Sequence, residues 1–189
     1  MSIILLNANE SVTNITPISH VKDCVVDLVT IHKEQTPLSP LTRMLLELPY
    51  KVRKHSKRSA IVAKILAEKI FHLSGNIDIS SFSYTIWLGG LYHHIDKQVL
   101  HELLPEENVD GADKNMIVQI VQEASGCSIE SSLEARLVSF GCLLDRLFVD
   151  SEFNFTSNII QEKWTSVFGS DLMDCFIEEQ EQIFKLYGK

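Results

Sequence analysis

With 189 residues, 45% of them apolar and 22% charged, the chain matches one ordinary globular domain and is too apolar for extensive disorder. Its formal charge of -8 excludes general binding to nucleic-acid backbones, which need clustered Lys and Arg to displace counterions. No apolar stretch is long enough to span a bilayer, and the N-terminus lacks a basic segment followed by a signal core. The expectation is a cytoplasmic protein with no membrane partner. Cys24, Cys127, Cys142 and Cys175 lack the short paired spacing of zinc knuckles and redox motifs, and in the cytosol they are expected as reduced thiols.

Met1 to Asn7 form an apolar run suited to a short strand or an extended arm. Thr16-Pro17 then sets an N-cap before a proline at the first helical position, and Val21, Cys24, Val25 and Leu28 follow at helical steps. Residues 1–40 are thus expected as an N-terminal arm and helix. Residues 41–189 form the main helical domain, and the two parts are expected to pack as one. Ser39-Pro40 repeats the start signal ahead of Leu41, Leu45 and Leu48.

The pattern next predicts a helix from about Lys51 to Leu73, with Val52, His55, Ser59, Val62, Leu66 and Ile70 on its inward stripe. The basic residues Lys51, Arg53, Lys54, Lys57 and Arg58 spread around its circumference and read as a solvated face. A segment from Ser81 through Ile95 is apolar nearly all round, which places it centrally, and it ends in Tyr92-His93-His94. Gly89-Gly90 within it points to close helix packing. Leu104 to Asp113 reads as a loop. Further helices are expected around Met116–Val121, from Glu130 to Val149, from Ser157 to Phe168 and from Asp171 to Tyr187. No sustained two-residue alternation occurs, so the fold expected is an all-α, compact bundle of about eight helices.

Several pieces of this chain resemble, in order, the HD phosphohydrolase superfamily and its HD-GYP branch. His55-Ser56-Lys57-Arg58 resembles the family's early histidine segment, and Leu91-Tyr92-His93-His94-Ile95-Asp96-Lys97 its H-D-I-G-K helix end. Leu133 to Val138 and Leu144 to Leu147 resemble the start and end of its late helix. Phe168 to Phe176 resembles its closing segment. The resemblance implies an HD-type helical fold over residues from about 41 to 184, and a metal-dependent phosphodiesterase ancestry.

The departures shape the functional expectation. His94 stands where the family has its paired aspartate, Asp96 at its glycine, and Cys142 at its late metal-binding aspartate. The segment that should carry extra histidines and the G-Y-P loop shrinks to about Asn115–Glu130. A binuclear centre needs a bridging anion, and a neutral imidazole has one lone pair and no charge. His55, His93, His94 and Cys142 nevertheless form a ligand set competent for a single divalent metal, zinc above all. Lys97 is the candidate for a phosphate-facing catalytic residue. The bland alternative has the histidines hydrogen-bonded to carbonyls or Asp96, and Cys142 as a small core residue beside Ala135 and Val138. Neighbouring helix positions point about 100 degrees apart, so His93 and His94 converge only where their helix ends or unwinds.

The leading expectation is therefore a degenerate HD-GYP-like signalling domain that binds a partner protein or a small nucleotide, with no cofactor or one divalent metal. A mononuclear metal-dependent phosphohydrolase is the alternative, and a structural homodimer without a ligand is a third reading.

Overall fold

The computed structural model describes residues 38–72, 78–126, 128, 130–149, 157–170 and 172–188. The expected N-terminal arm and first helix lie outside them, as does Leu73, the expected end of the long helix. Ser39–Lys189 forms one compact unit. The described residues form eight α-helices and no strand: α1 (Pro40–Glu47), α2 (Tyr50–His72), α3 (Ile79–Tyr92), α4 (Lys97–Leu103), α5 (Lys114–Ala124), α6 (Leu133–Val149), α7 (Ser157–Phe168) and α8 (Met173–Leu186). The all-α bundle expected from the periodicity is the fold observed. No helix among the described residues is long and apolar enough to cross a membrane.

The helix ends follow from local side-chain chemistry. The Ser39 hydroxyl accepts from the Thr42 N–H at the start of α1, with Pro40 supplying the pre-set φ of the first turn. The buried Glu107 carboxylate accepts from the Leu41 N–H, so a second acceptor from 66 residues away satisfies the same helix end. Two expected boundaries move by three residues. Helix α6 begins at Leu133 rather than Glu130, because Ser132 caps it by accepting from the Ala135 N–H. The apolar segment ends at Tyr92 rather than Ile95, and Asp96 then caps a new helix, α4, by accepting from the Gln98 and Val99 N–H groups. Asp96 is thereby committed to the backbone and not to the histidines. The expected loop at 104–113 opens with a 3-10 turn, Leu104–Glu106, and ends where Asp113 caps α5.

Helix α2 is the central element and packs on α3, α6 and α8. Its expected stripe is buried from Ser59 onward, with Ser59, Val62 and Leu66 fully buried and Ile70 nearly so, while Val52 and His55 are half-buried. One apolar cluster joins α2 to α6, α7 and α8 around Phe140, Trp164 and Phe176, three rings whose centroids lie 5.0–5.7 Å apart. A second joins α1, α3, α4 and α5 around Leu41, Leu88, Leu100 and Ile117. Trp164 is a core anchor, whereas Trp87 is half-buried and stacks on Tyr84.

Three helices meet with almost no space between them. A Cβ on Gly90 would lie 2.8 Å from the Ala60 Cα, and one on Gly141 would lie 2.5 Å from the Ser59 carbonyl oxygen. Neither neighbour is a flexible side-chain end, so α3 and α6 reach adjacent residues of one α2 turn only because positions 90 and 141 are glycine. Gly90→Ala and Gly141→Ala should each destabilise the domain by about 1–2 kcal/mol, overpacking outweighing the helix-propensity gain of about 1 kcal/mol. Gly126→Ala, with nothing within 4 Å and an ordinary φ, should be neutral or mildly stabilising. Urea unfolding of the three variants checks this. Equal stabilities would mean that the close approach does not constrain the fold.

Candidate metal centre

The same helix crossing positions the histidines. His55 lies one turn before the Ser59–Ala60 contact on α2, Cys142 directly follows Gly141 on α6, and His93 lies three residues after Gly90 at the end of α3. Their side chains converge, and one ligand atom from each of His55, His93 and Cys142 lies within 4.8 Å of the other two. The Cys142 Sγ is 3.3 Å from the His93 Nε2. The His55 and His93 ring centroids are 5.4 Å apart.

Each imidazole is fixed through its other nitrogen. The Gly90 carbonyl oxygen lies 2.6 Å from the His93 Nδ1, and a carbonyl can only accept, so Nδ1 carries the hydrogen and donates. The His93 Nε2 then faces the sulfur. The Asp145 Oδ2 lies 2.7 Å from the His55 Nδ1 and accepts from it in the same way. Asp145 also accepts from Arg58 Nε, and at 3.1 Å from an Arg58 terminal nitrogen.

The electrostatics form a balanced set. Its hydrogen bond to Asp145, and a second to Cys142, raise His55 to about 9 against the drag of burial. Burial pushes the Cys142 thiol up, but hydrogen bonds from His55 and His93 outweigh that and bring it down to about 6. Burial likewise works against the Asp145 carboxylate, and its bonds to His55 and Arg58 prevail and hold it below its ordinary value. Near neutral pH two cations, Arg58 and His55, thus face two anions, Asp145 and Cys142. Tyr187 at the end of α8 stays a neutral phenol, driven up first by burial and then by the Asp145 charge, and the Arg58 guanidinium lies over its ring.

His94 and Lys97 sit differently. His94 is exposed just beyond α3, with its ring 4.0 Å from that of His93 and 5.2 Å from that of His55, centroid to centroid. Helix α3 does end before this pair, as convergence of adjacent histidines requires. Even so, the three ligand atoms that meet exclude those of His94. Partial burial of its ring, then the neighbouring His93 and His55, lower His94 to about 4, so it is neutral. Lys97 is exposed in the first turn of α4, with no hydrogen bond or ion pair to the cluster. His101 is exposed.

Asp145 and Arg58 are the site residues that sequence reasoning missed. Arg58 belongs to the basic run read as a solvated face. Lys51 and Lys54 are exposed as that reading requires, but the Arg58 side chain is only 24% exposed and is paired. Asp145 is 2% exposed, and as the one carboxylate between Leu137 and Val149, three residues after Cys142, it was the available signal. Comparison with protein-family models, curated proteins and solved structures finds no match to this chain.

Removing the Asp145 charge leaves Arg58 without its partner. Because Arg58 is partly solvated, Asp145→Asn should cost about 2–3 kcal/mol, below the usual range for a broken buried pair. Asp145 is depressed in the folded state, so its contribution is present above 3.8, its ordinary value, and is lost as pH falls through the lower folded value. Urea unfolding across pH 2–6 should show an acid loss of stability that is shallower in Asp145→Asn. Identical acid limbs would mean that Asp145 does not titrate with folding.

Proposed function

We propose that this is a degenerate HD-type domain that works by binding a partner rather than by hydrolysing a phosphodiester. One observation carries the reading: the carboxylate beside the cluster, Asp145, is already spent on His55 and Arg58. The groups at the family's two carboxylate positions are an imidazole, His94, and a thiol, Cys142. A binuclear centre needs an anion with two free oxygens between its ions, and these residues do not supply one. The residues present therefore do not fit a two-metal site, and no hydrolytic step is drawn through it.

Between the two kinds of partner, the charges favour a protein over a nucleotide. The Arg58 guanidinium is committed to Asp145, Lys97 makes no contact with the cluster, and the chain carries a formal charge of -8. Among the described residues no Arg or Lys is bonded to these histidines directly, and the exposed Arg146, whose charge acts on His94, is the cation a phosphate group would meet there. The mononuclear phosphohydrolase remains the second reading, and what favours it is the convergence of His55, His93 and Cys142.

An anaerobic assay with cyclic di-GMP, and manganese or ferrous iron in excess, separates the two. The expected result is no linear dinucleotide product. Turnover abolished in both His55→Ala and His93→Ala would overturn the binding-only reading and install the enzyme. The double variant His94→Asp, Cys142→Asp should gain affinity for manganese while hydrolysis stays weak, since the shortened 115–130 segment still lacks a G-Y-P loop.

A further inference from the structure

We propose that His55, His93 and Cys142 hold a single zinc ion through the two histidine Nε2 atoms and the Cys142 Sγ, with a fourth position open to water or an anion. The inference does not depend on the HD-type reading. It rests on three side chains from separate helices and on how each is held.

The donor set suits the ion. Two imidazoles and one thiolate are borderline-soft ligands, the class zinc prefers over hard cations such as magnesium or calcium. Zinc–ligand bonds of about 2.0–2.3 Å at tetrahedral angles place ligand atoms roughly 3.4–3.7 Å apart. The Cys142 Sγ and His93 Nε2 already lie 3.3 Å apart, and all three atoms fall within 4.8 Å, so small side-chain movements reach that geometry.

The outer partners matter as much. A zinc-bound histidine ordinarily donates its second ring N–H to a carboxylate or a carbonyl, which fixes the tautomer and the ring plane. Both partners are present here, Asp145 for His55 and the Gly90 carbonyl for His93. Each bond occupies Nδ1 and leaves Nε2 as the metal-facing atom. A merely structural pair of core-rim histidines needs one satisfied nitrogen each. It does not need a ring nitrogen of each to gather with a thiol sulfur within 4.8 Å, and that convergence is what the zinc reading explains.

The assignment also separates His94 from the ligands. His94 is exposed, makes none of the three-atom convergence, and has a ring plane tilted 41° from that of His93. Three protein ligands with a vacant fourth position match the general form of zinc sites that bind water or an exogenous ligand rather than closed structural sites.

The test is cobalt titration of the full chain after metal removal, with zinc competition. Wild type should take up one cobalt per chain, with a thiolate-to-cobalt charge-transfer band and the intense visible bands of four-coordinate cobalt, all abolished by zinc. Cys142→Ser should lose the charge-transfer band while keeping its circular dichroism spectrum. His55→Gln should weaken binding at least tenfold, and His94→Ala should bind as wild type does. Asp145→Asn should retain the charge-transfer band but bind roughly ten- to a hundredfold more weakly. Absence of cobalt binding by folded wild type, or a charge-transfer band surviving in Cys142→Ser, would overturn the site. His94→Ala failing as His55→Gln does would overturn the three-ligand assignment. The hydrolysis assay decides the functional reading and this titration decides the metal, so either can fail alone.

Discussion

Everything near the cluster depends on how closely α3 and α6 approach one turn of α2. Backbone contact at Ser59 and Ala60 is possible because Gly90 and Gly141 present no side chain there. Once the three backbones touch, the residues flanking the contact have little freedom in where they project. His55 lies a turn before it, Cys142 immediately after Gly141, and His93 one turn beyond Gly90. Long side chains reaching across a wider gap would have to lose more rotamer entropy to meet at one point. The tight crossing brings short side chains together with little left to order.

The fold was largely legible because its signals are local. Apolar spacing marked the buried face of α2, and Ser39-Pro40 marked the start of α1. Helix α4 was not marked, since seven residues hold too few periods to show a stripe, and its cap, Asp96, was weighed instead as a partner for histidine. At the site, His55, His93 and Cys142 were singled out by the resemblance to the HD superfamily, which set them at its ligand positions. The roles of Arg58 and Asp145 were not. A basic residue within a basic run looks solvated until its acidic partner is known, and that partner lies 87 residues away. Periodicity describes one helix at a time, whereas an ion pair belongs to two.

The cluster's charges also bear on why it tolerates burial. Asp145 is nearly inaccessible, and an unpaired carboxylate there would be costly. It is instead bonded by one cation that is always charged, Arg58, and by one whose charge depends on its surroundings, His55. Arg58 also rests against the Tyr187 ring, which ties the last turn of the chain to the network. The region thus has a permanent salt link and an adjustable one, and only the adjustable one touches the thiol. A ligand that replaces the His55 Nε2 proton can therefore alter charge at the cluster without dismantling the link that holds α2 to α6.

The bond from His93 to the Gly90 carbonyl closes the last turn of α3, where a helix otherwise leaves carbonyls without intrahelical donors. The ring therefore finishes a helix as well as facing a sulfur. Selection has a reason to keep a donor at position 93 whether or not anything is ever bound there. Cys142 serves no backbone group, since its polar contacts in the cluster are with side chains, but it also packs against the apolar core. Losing Cys142 would leave a gap beside the core, whereas losing His93 would leave a carbonyl in the last turn of α3 without its donor.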